Sequence, residues 1–103
     1  MTDSNPIPVS EVQADFETRE ANSQKFRRSE DAGHSPEPCY LCGRPLTTKA
    51  VDSGFWVEIG DGGSTVLPNG HGLGDDETLG CFPVGSECAR KVERPFKFKQ
   101  STP

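Results

Sequence analysis

Residues 38–46 read PCYLCGRPL, and residues 80–91 read GCFPVGSECARK. The first stretch holds Cys39 and Cys42 in a CxxCG turn, a spacing that lets two thiolates converge on one metal ion. The glycine that follows permits the tight backbone of such a turn. The second stretch contains the other two cysteines, Cys81 and Cys88. The four cysteines together predict a zinc site that joins the two stretches.

Cys88 is the best ligand candidate outside the CxxCG turn. The sequence predicts a short helix from about residue 87 to 93, with Ser86 as its N-cap and Pro95 ending it. Cys88 then lies in the first turn, where unpaired backbone amides and the helix dipole favour a thiolate.

Cys81 is predicted to be the fourth ligand, through a turn over residues 82–85 that returns its thiolate to Cys88. The gap of six residues is longer than the usual two to four within a ligand pair, so a substitute has to be considered. His71, in a glycine-rich loop, is the leading substitute, and His34 is a weaker one.

Two short β-prone runs surround the cysteine gap. Residues 55–59 and 64–67 flank an Asp61-Gly62 turn, which predicts a β-hairpin. Residues 78–84 predict a third short strand that Pro83 keeps at a sheet edge. The order of cysteine turn, hairpin and helix predicts a small α+β zinc-stabilised domain, a β-hairpin or three short strands plus a short C-terminal helix, similar to a treble clef or zinc ribbon.

The composition predicts that part of the 103-residue chain lies outside any core, since only 31% of the residues are hydrophobic. Residues 1–38 are predicted to be an N-terminal arm, disordered or with a helix over about 10–28, followed by a linker. Ser10 and Gln13 fit a capping box at the start of that helix, which is polar enough to order only against a partner. Residues 39–99 form the predicted zinc-binding minidomain, and residues 100–103 a tail.

The stretches CxxCGRPL and Phe-Pro-Val-Gly-Ser-x-Cys-Ala, at 39–46 and 82–89, resemble those of small CxxCG zinc-binding proteins of actinobacterial phages and their hosts. The resemblance covers residues 39–92. It implies Cys39, Cys42 and Cys88 as ligands and is less decisive for Cys81. Most such proteins have no assigned biochemical role. A phage origin would imply a modulator of a host or defence protein, acting in the bacterial cytoplasm.

The cysteine pattern predicts a structural site and no enzyme. A site of four cysteines has no open coordination position, and no HExxH or H-x-E motif accompanies it. Glu58 and Glu87 are therefore interpreted as surface carboxylates. The alternative of a CxxC redox protein is weaker, because Gly43 and Pro45 oppose a helix after Cys42 and no βαβ pattern surrounds it.

The charge distribution favours a protein partner. The net charge is −5, yet residues 89–103 carry five bases and one acid. An acidic body weakens approach to phosphate, which disfavours nucleic acid. The alternative, a nucleic-acid-binding zinc module, would use the basic aromatic C-terminal end, which comprises Arg90, Lys91, Arg94, Phe96, Lys97, Phe98 and Lys99.

Neither a membrane segment, a secretory signal nor a small-molecule substrate is indicated by the sequence, which predicts a cytoplasmic location.

Overall fold

The fold is built on one central strand, β4 (Phe55–Gly60). We describe it from a computed structural model, in which residues 6–34 and 36–99 are described. Val57 and Ile59 alternate along β4 and are fully buried, as expected for a strand with one face on the core. On one side β4 pairs with β6 (Thr78–Pro83), and on the other with β5 (Thr65–Leu67) and β7 (Phe98–Lys99), all antiparallel.

The predicted hairpin is confirmed as β4 and β5. A 3₁₀ turn at Asp61–Gly63 connects them, and its three residues have positive φ angles of 52°, 68° and 102°. Glycine tolerates such angles, which explains the Asp-Gly-Gly sequence at this place. The predicted third strand is confirmed as β6, which ends the strand order and carries Pro83.

The cysteine turn lies between two very short strands, β2 (Glu37–Pro38) and β3 (Pro45–Leu46), which pair with each other. A helix that was not predicted, α3 (Thr48–Ser53), follows them. The Thr47 side chain caps α3 by accepting a hydrogen bond from the Ala50 N–H at 3.1 Å. The Trp56 indole donates to the Val51 carbonyl at 2.9 Å and so holds α3 against β4.

The N-terminal segment belongs to the body of the molecule. Strand β1 (Ile7–Pro8) pairs with β5, and helix α1 (Val9–Val12) buries both of its valines in the core. The prediction of an arm separate from the minidomain is therefore wrong for residues 7–12. The edge of β5 and the apolar face beneath it give this segment its partners within the same chain.

A single helix over residues 10–28 is also wrong. The chain is extended at Gln13, and α2 (Phe16–Asp31) begins afresh with Asp15 as its N-cap, which accepts from the Thr18 N–H at 2.7 Å. The Ser10–Gln13 capping box is not formed. The break has a tertiary cause, because the Ala14 N–H donates to the Leu41 carbonyl of the cysteine turn at 3.0 Å instead of continuing a helix.

The C-terminal part contains a shorter helix than predicted. Helix α4 (Ser86–Ala89) has Gly85 as its N-cap and no side-chain cap, so the role predicted for Ser86 is wrong. A 3₁₀ turn at Arg94–Phe96 buries the Phe96 ring before β7 begins. The predicted tail at 100–103 lies outside the described residues. Within 6–34 and 36–99, no helix has the length and apolar character needed to cross a membrane.

We predict that Val12→Ala lowers the free energy of unfolding by about 2 kcal/mol, because it removes buried methyl groups and leaves a cavity. Phe16→Ala is the control from the neighbouring helix, since 67% of the Phe16 side chain is exposed, and it should change stability far less. Urea unfolding measures both variants. Equal, negligible effects would mean that the segment 7–12 is a free arm after all.

Candidate metal centre

Three of the four cysteines come together. The Sγ atoms of Cys39, Cys42 and Cys88 lie within 4.8 Å of one another, and all three residues are buried. Tetrahedral zinc with Zn–S bonds of about 2.3 Å requires sulfur–sulfur distances of about 3.8 Å, which is within this limit. The group could therefore hold a metal ion, as predicted for these three residues.

Backbone hydrogen bonds shape the cysteine turn. The Cys39 N–H donates to the Arg44 carbonyl and the Gly43 N–H donates to the Cys39 carbonyl, both at 2.8 Å. Gly43 has a φ of +79°, and a Cβ atom there would lie 3.4 Å from the Arg19 carbonyl oxygen. The positive φ angle is what requires glycine in the CxxCG motif, because a Cβ atom at this distance from α2 would make only an ordinary van der Waals contact.

Each residue of the turn is also tied to a different part of the fold. The Tyr40 N–H donates to the Pro83 carbonyl of β6 at 3.0 Å, while Leu41 is held by Ala14. The Asn22 side chain, from α2, donates to the Cys42 carbonyl at 3.0 Å. The Tyr40 ring stacks on Phe82 with their centroids 4.7 Å apart. These contacts fix the position of two sulfurs relative to the sheet.

Cys88 reaches the turn from α4. The Gly85 N–H, at the start of this helix, donates to the Cys39 sulfur at 3.1 Å. The second half of the chain therefore contributes both a thiol and a backbone donor to the group. Cys39 is the most deeply enclosed of the three, with 1% of its surface exposed.

Hydrogen bonds among the three cysteines favour the thiolate form of Cys39 over that of Cys42 or Cys88. The pKa of Cys39 is lowered far below its ordinary value, because its sulfur accepts from Cys42, from Cys88 and from the Gly85 N–H. The pKa values of Cys42 and Cys88 are raised, chiefly because their thiols donate to Cys39. A metal cation bound among the sulfurs would replace these shared protons.

Cys81 is not brought into the group, contrary to the prediction. It lies in β6 directly opposite Glu58 of β4, on the sheet face away from Val57 and Ile59, and it is exposed. Side chains alternate between the faces of a strand, so this register points Cys81 away from the other thiols. Partial burial and the charge of Glu58 raise the pKa of Cys81, which keeps it a thiol.

The histidines do not complete the group either. Nε2 of His71 lies 2.6 Å from a Glu58 carboxylate oxygen, and Nδ1 accepts from the Leu73 N–H at 2.8 Å. Since Nδ1 is an acceptor, Nε2 carries the proton and donates it to Glu58. His34, the weaker substitute, is exposed after the end of α2 and is likewise outside the group. The described residues thus supply three ligand candidates that meet.

A cleft of about 440 Å³ opens beside Cys42 and Cys88. Helix α2 forms one wall, and the other walls come from the cysteine turn and from α4 with the residues after it. Three exposed cations and one exposed carboxylate line it, namely Lys25, Arg44, Lys91 and Glu87. The prediction that the site has no open position depended on Cys81. Without that residue, the side of the group that faces the cleft is accessible.

The basic C-terminal end is spread over the body. Phe96 is buried, whereas Phe98 is half-buried and its backbone pairs with Trp56 in the sheet, so Phe96 offers no free stacking surface. The Lys97 ammonium donates to the Ala89 carbonyl at 2.7 Å and lies 4.6 Å from the Phe55 ring centroid. The exposed basic residues of this end are Arg90, Lys91, Arg94 and Lys99.

Sequence reasoning missed two contributors to the site. Asn22 supports the cysteine turn and Lys25 lines the cleft, and both come from a helix that the sequence placed in a separate arm. Their spacing of three residues puts them on one side of a helix, but no sequence signal shows that this side meets the cysteines.

Comparisons with family models, with curated proteins and with solved structures find no match to this chain. The resemblance to phage zinc-binding proteins therefore stays a prediction.

Proposed function

We propose that the protein is a non-enzymatic zinc-binding module that holds its metal with Cys39, Cys42 and Cys88 and serves as a protein-interaction partner. The observation that carries the first part is the convergence of three buried sulfurs from two distant parts of the chain. A redox dithiol needs only the CxxC pair, whereas a metal site uses a further sulfur such as that of Cys88, which supports metal binding over the CxxC redox alternative.

Zinc is the metal proposed, because thiolates are soft ligands and a tetrahedral sulfur site is typical of structural zinc. The site is proposed to be treble-clef-like, with two ligands from the turn between β2 and β3 and one from α4. Three thiolates also leave bound zinc with a net negative charge and weaken it as a Lewis acid, which supports a structural role over a catalytic one.

The metal is proposed to stabilise the small fold. The core consists mostly of valines and cysteines with a few larger apolar residues. Among the residues that the structure describes, no charged side chain is buried. A domain of this size buries a limited apolar area, so zinc binding supplies much of its folding free energy.

Helix α2 supports the interaction role. None of its described residues is buried, although the helix is anchored to the cysteine turn through Asn22. Phe16, at its start, is the most exposed large hydrophobic residue described, and a shallow groove runs from it along the helix. The groove contains both signs of charge, and its lining is Phe16, Arg19, Glu20, Ser23, Gln24 and Arg27. A mixed surface with an exposed aromatic ring suits a protein partner.

A phage-encoded modulator of a host or defence protein is the biological setting we propose, on the sequence resemblance alone. A nucleic-acid module is the weaker alternative. The burial of Phe96 leaves that alternative with one aromatic ring fewer for stacking on bases.

We predict that purified protein binds one zinc per chain, and that Cys39→Ser, Cys42→Ser and Cys88→Ser each lower the affinity severely and unfold the domain. Cys81→Ser is the matched control and should keep both the zinc and the fold, because its side chain is exposed and remote from the group. Metal analysis and circular dichroism with a chelator measure these effects. Zinc loss in Cys81→Ser, or wild-type protein without zinc, would contradict the proposal.

We further predict that the α2 groove captures a protein from a lysate of an actinobacterial host. Phe16→Ala should lose that protein, whereas Leu73→Ala, which alters another exposed apolar residue away from the groove, should retain it. Quantitative mass spectrometry of the captured proteins compares the variants. If all variants retain the same proteins, or if only labelled nucleic acid binds at about 150 mM salt, the interaction role is wrong.

A further inference from the structure

We propose that the fourth coordination position of the metal opens into the cleft beside Cys42 and Cys88 and is taken by a carboxylate from outside the chain. The inference rests on the proposed function, because it assumes a metal held by the three cysteines. It adds a ligand site and the chemical class of its ligand.

The geometry gives the group a closed side and an open side. Cys39 is enclosed and its sulfur accepts from the Gly85 N–H, so this side offers no room for a further ligand. Cys42 and Cys88 line the cleft. A tetrahedral ion held by three sulfurs needs one more ligand, and approach is free only from the side where these two residues meet the cleft.

No residue described completes the coordination from within the chain. Cys81 is on the opposite sheet face, and both ring nitrogens of His71 are engaged. Glu87 lines the cleft, but its carboxylate lies outside the group of mutually close ligand atoms. Within residues 6–34 and 36–99 no fourth ligand meets the three sulfurs, which leaves the position open to water or to a group from outside. The cleft, at about 440 Å³, has room for far more than a single water molecule, which occupies about 30 Å³ in the liquid.

The charges lining the cleft favour an anion. Zinc with three thiolates carries one negative charge, and Glu87 adds a second. Lys25, Arg44 and Lys91 outnumber these two charges. Each exposed cation contributes little by itself, but the three converge on one cleft.

A carboxylate fits this arrangement better than other anions do. One of its oxygens would bind the metal, as Asp and Glu oxygens do in zinc sites, and the other would accept from the cations. Arg44 directly follows the cysteine turn, and its planar guanidinium matches a carboxylate through paired hydrogen bonds. Such a ligand can come from a small carboxylic acid or from an acidic side chain of a protein.

Cobalt(II) substitution tests the proposal, because its visible absorption reports the ligands of a tetrahedral site. The probes are acetate, the α-amide of N-acetylglutamic acid, and inorganic phosphate. We expect both carboxylates to shift the d–d bands saturably while the thiolate-to-cobalt absorption remains. Tighter binding of the blocked glutamate would identify a protein side chain as the source, and equal binding a small carboxylate.

Variants of the cleft sharpen the test. Arg44→Gln and Lys91→Gln should each weaken acetate binding about fivefold, whereas Lys49→Gln, on exposed α3 outside the cleft, should leave it unchanged. Glu87→Gln should leave the spectrum without added carboxylate unchanged, because Glu87 is not a ligand. If Arg44→Gln fails to fold, Lys91→Gln alone carries the comparison.

The failures are distinguishable. A protein that shows no thiolate-to-cobalt absorption has no metal site, and the proposed function fails with it. Strong thiolate absorption together with a spectrum that neither carboxylate changes would overturn the carboxylate ligand and leave the metal site standing. The carboxylate ligand would also be overturned if phosphate but not acetate shifted the cobalt d–d bands. The same holds if Glu87→Gln changed the cobalt spectrum recorded without added carboxylate.

Discussion

The structure depends on one convergence, in which a tight turn near residue 40 meets a helix start near residue 88. Three sulfurs can lie within 4.8 Å of one another only if the turn, the central sheet and α4 are all in place. Tyr40, Leu41 and Cys42 tie the turn to β6, to the connection between α1 and α2, and to α2, each through a separate hydrogen bond. A metal bound there would act on a loop of nearly fifty residues, and closing such a loop is what makes a single site so effective in a small domain.

The arrangement also connects the N-terminal segment to the site. Ala14 and Asn22 bond to the cysteine turn from either side of the start of α2, and Val9 and Val12 pack in the core that also contains Leu41. The composition suggested a polar arm attached to a minidomain that holds most of the large apolar residues. The physical explanation of the low apolar content is different: a short apolar segment completes the core, and α2 then runs across the surface with no buried residue.

Features of the fold that depend on residues close together in the sequence could be predicted, whereas features that depend on distant residues could not. The hairpin, the edge strand and the convergence of Cys39, Cys42 and Cys88 rest on local signals, and the structure places them as the sequence indicates. Whether Cys81 can reach the other sulfurs depends on the face of the sheet to which its side chain points. That face is set by the pairing of Cys81 with Glu58. Nothing in residues 81–88 alone reveals this register.

The start of the long helix shows the same limit. Ser10 and Asp15 both satisfy the local rule for an N-cap, but only Asp15 caps α2, because Ala14 bonds to Leu41 and interrupts the helix before it. The cleft was equally beyond prediction from sequence. Its cations come from α2, from the residue after the cysteine turn and from the segment after α4, and only the tertiary structure brings Lys25, Arg44 and Lys91 to one place.

X-ray absorption spectroscopy at the zinc edge tests the three-cysteine metal site, because it counts the sulfur atoms around the metal. For zinc-loaded protein we expect three sulfur neighbours at about 2.3 Å and one oxygen neighbour at about 2.0–2.2 Å. Four sulfur neighbours would place a fourth cysteine in the site, against the position of Cys81 in β6. A shell without sulfur would contradict the metal centre altogether.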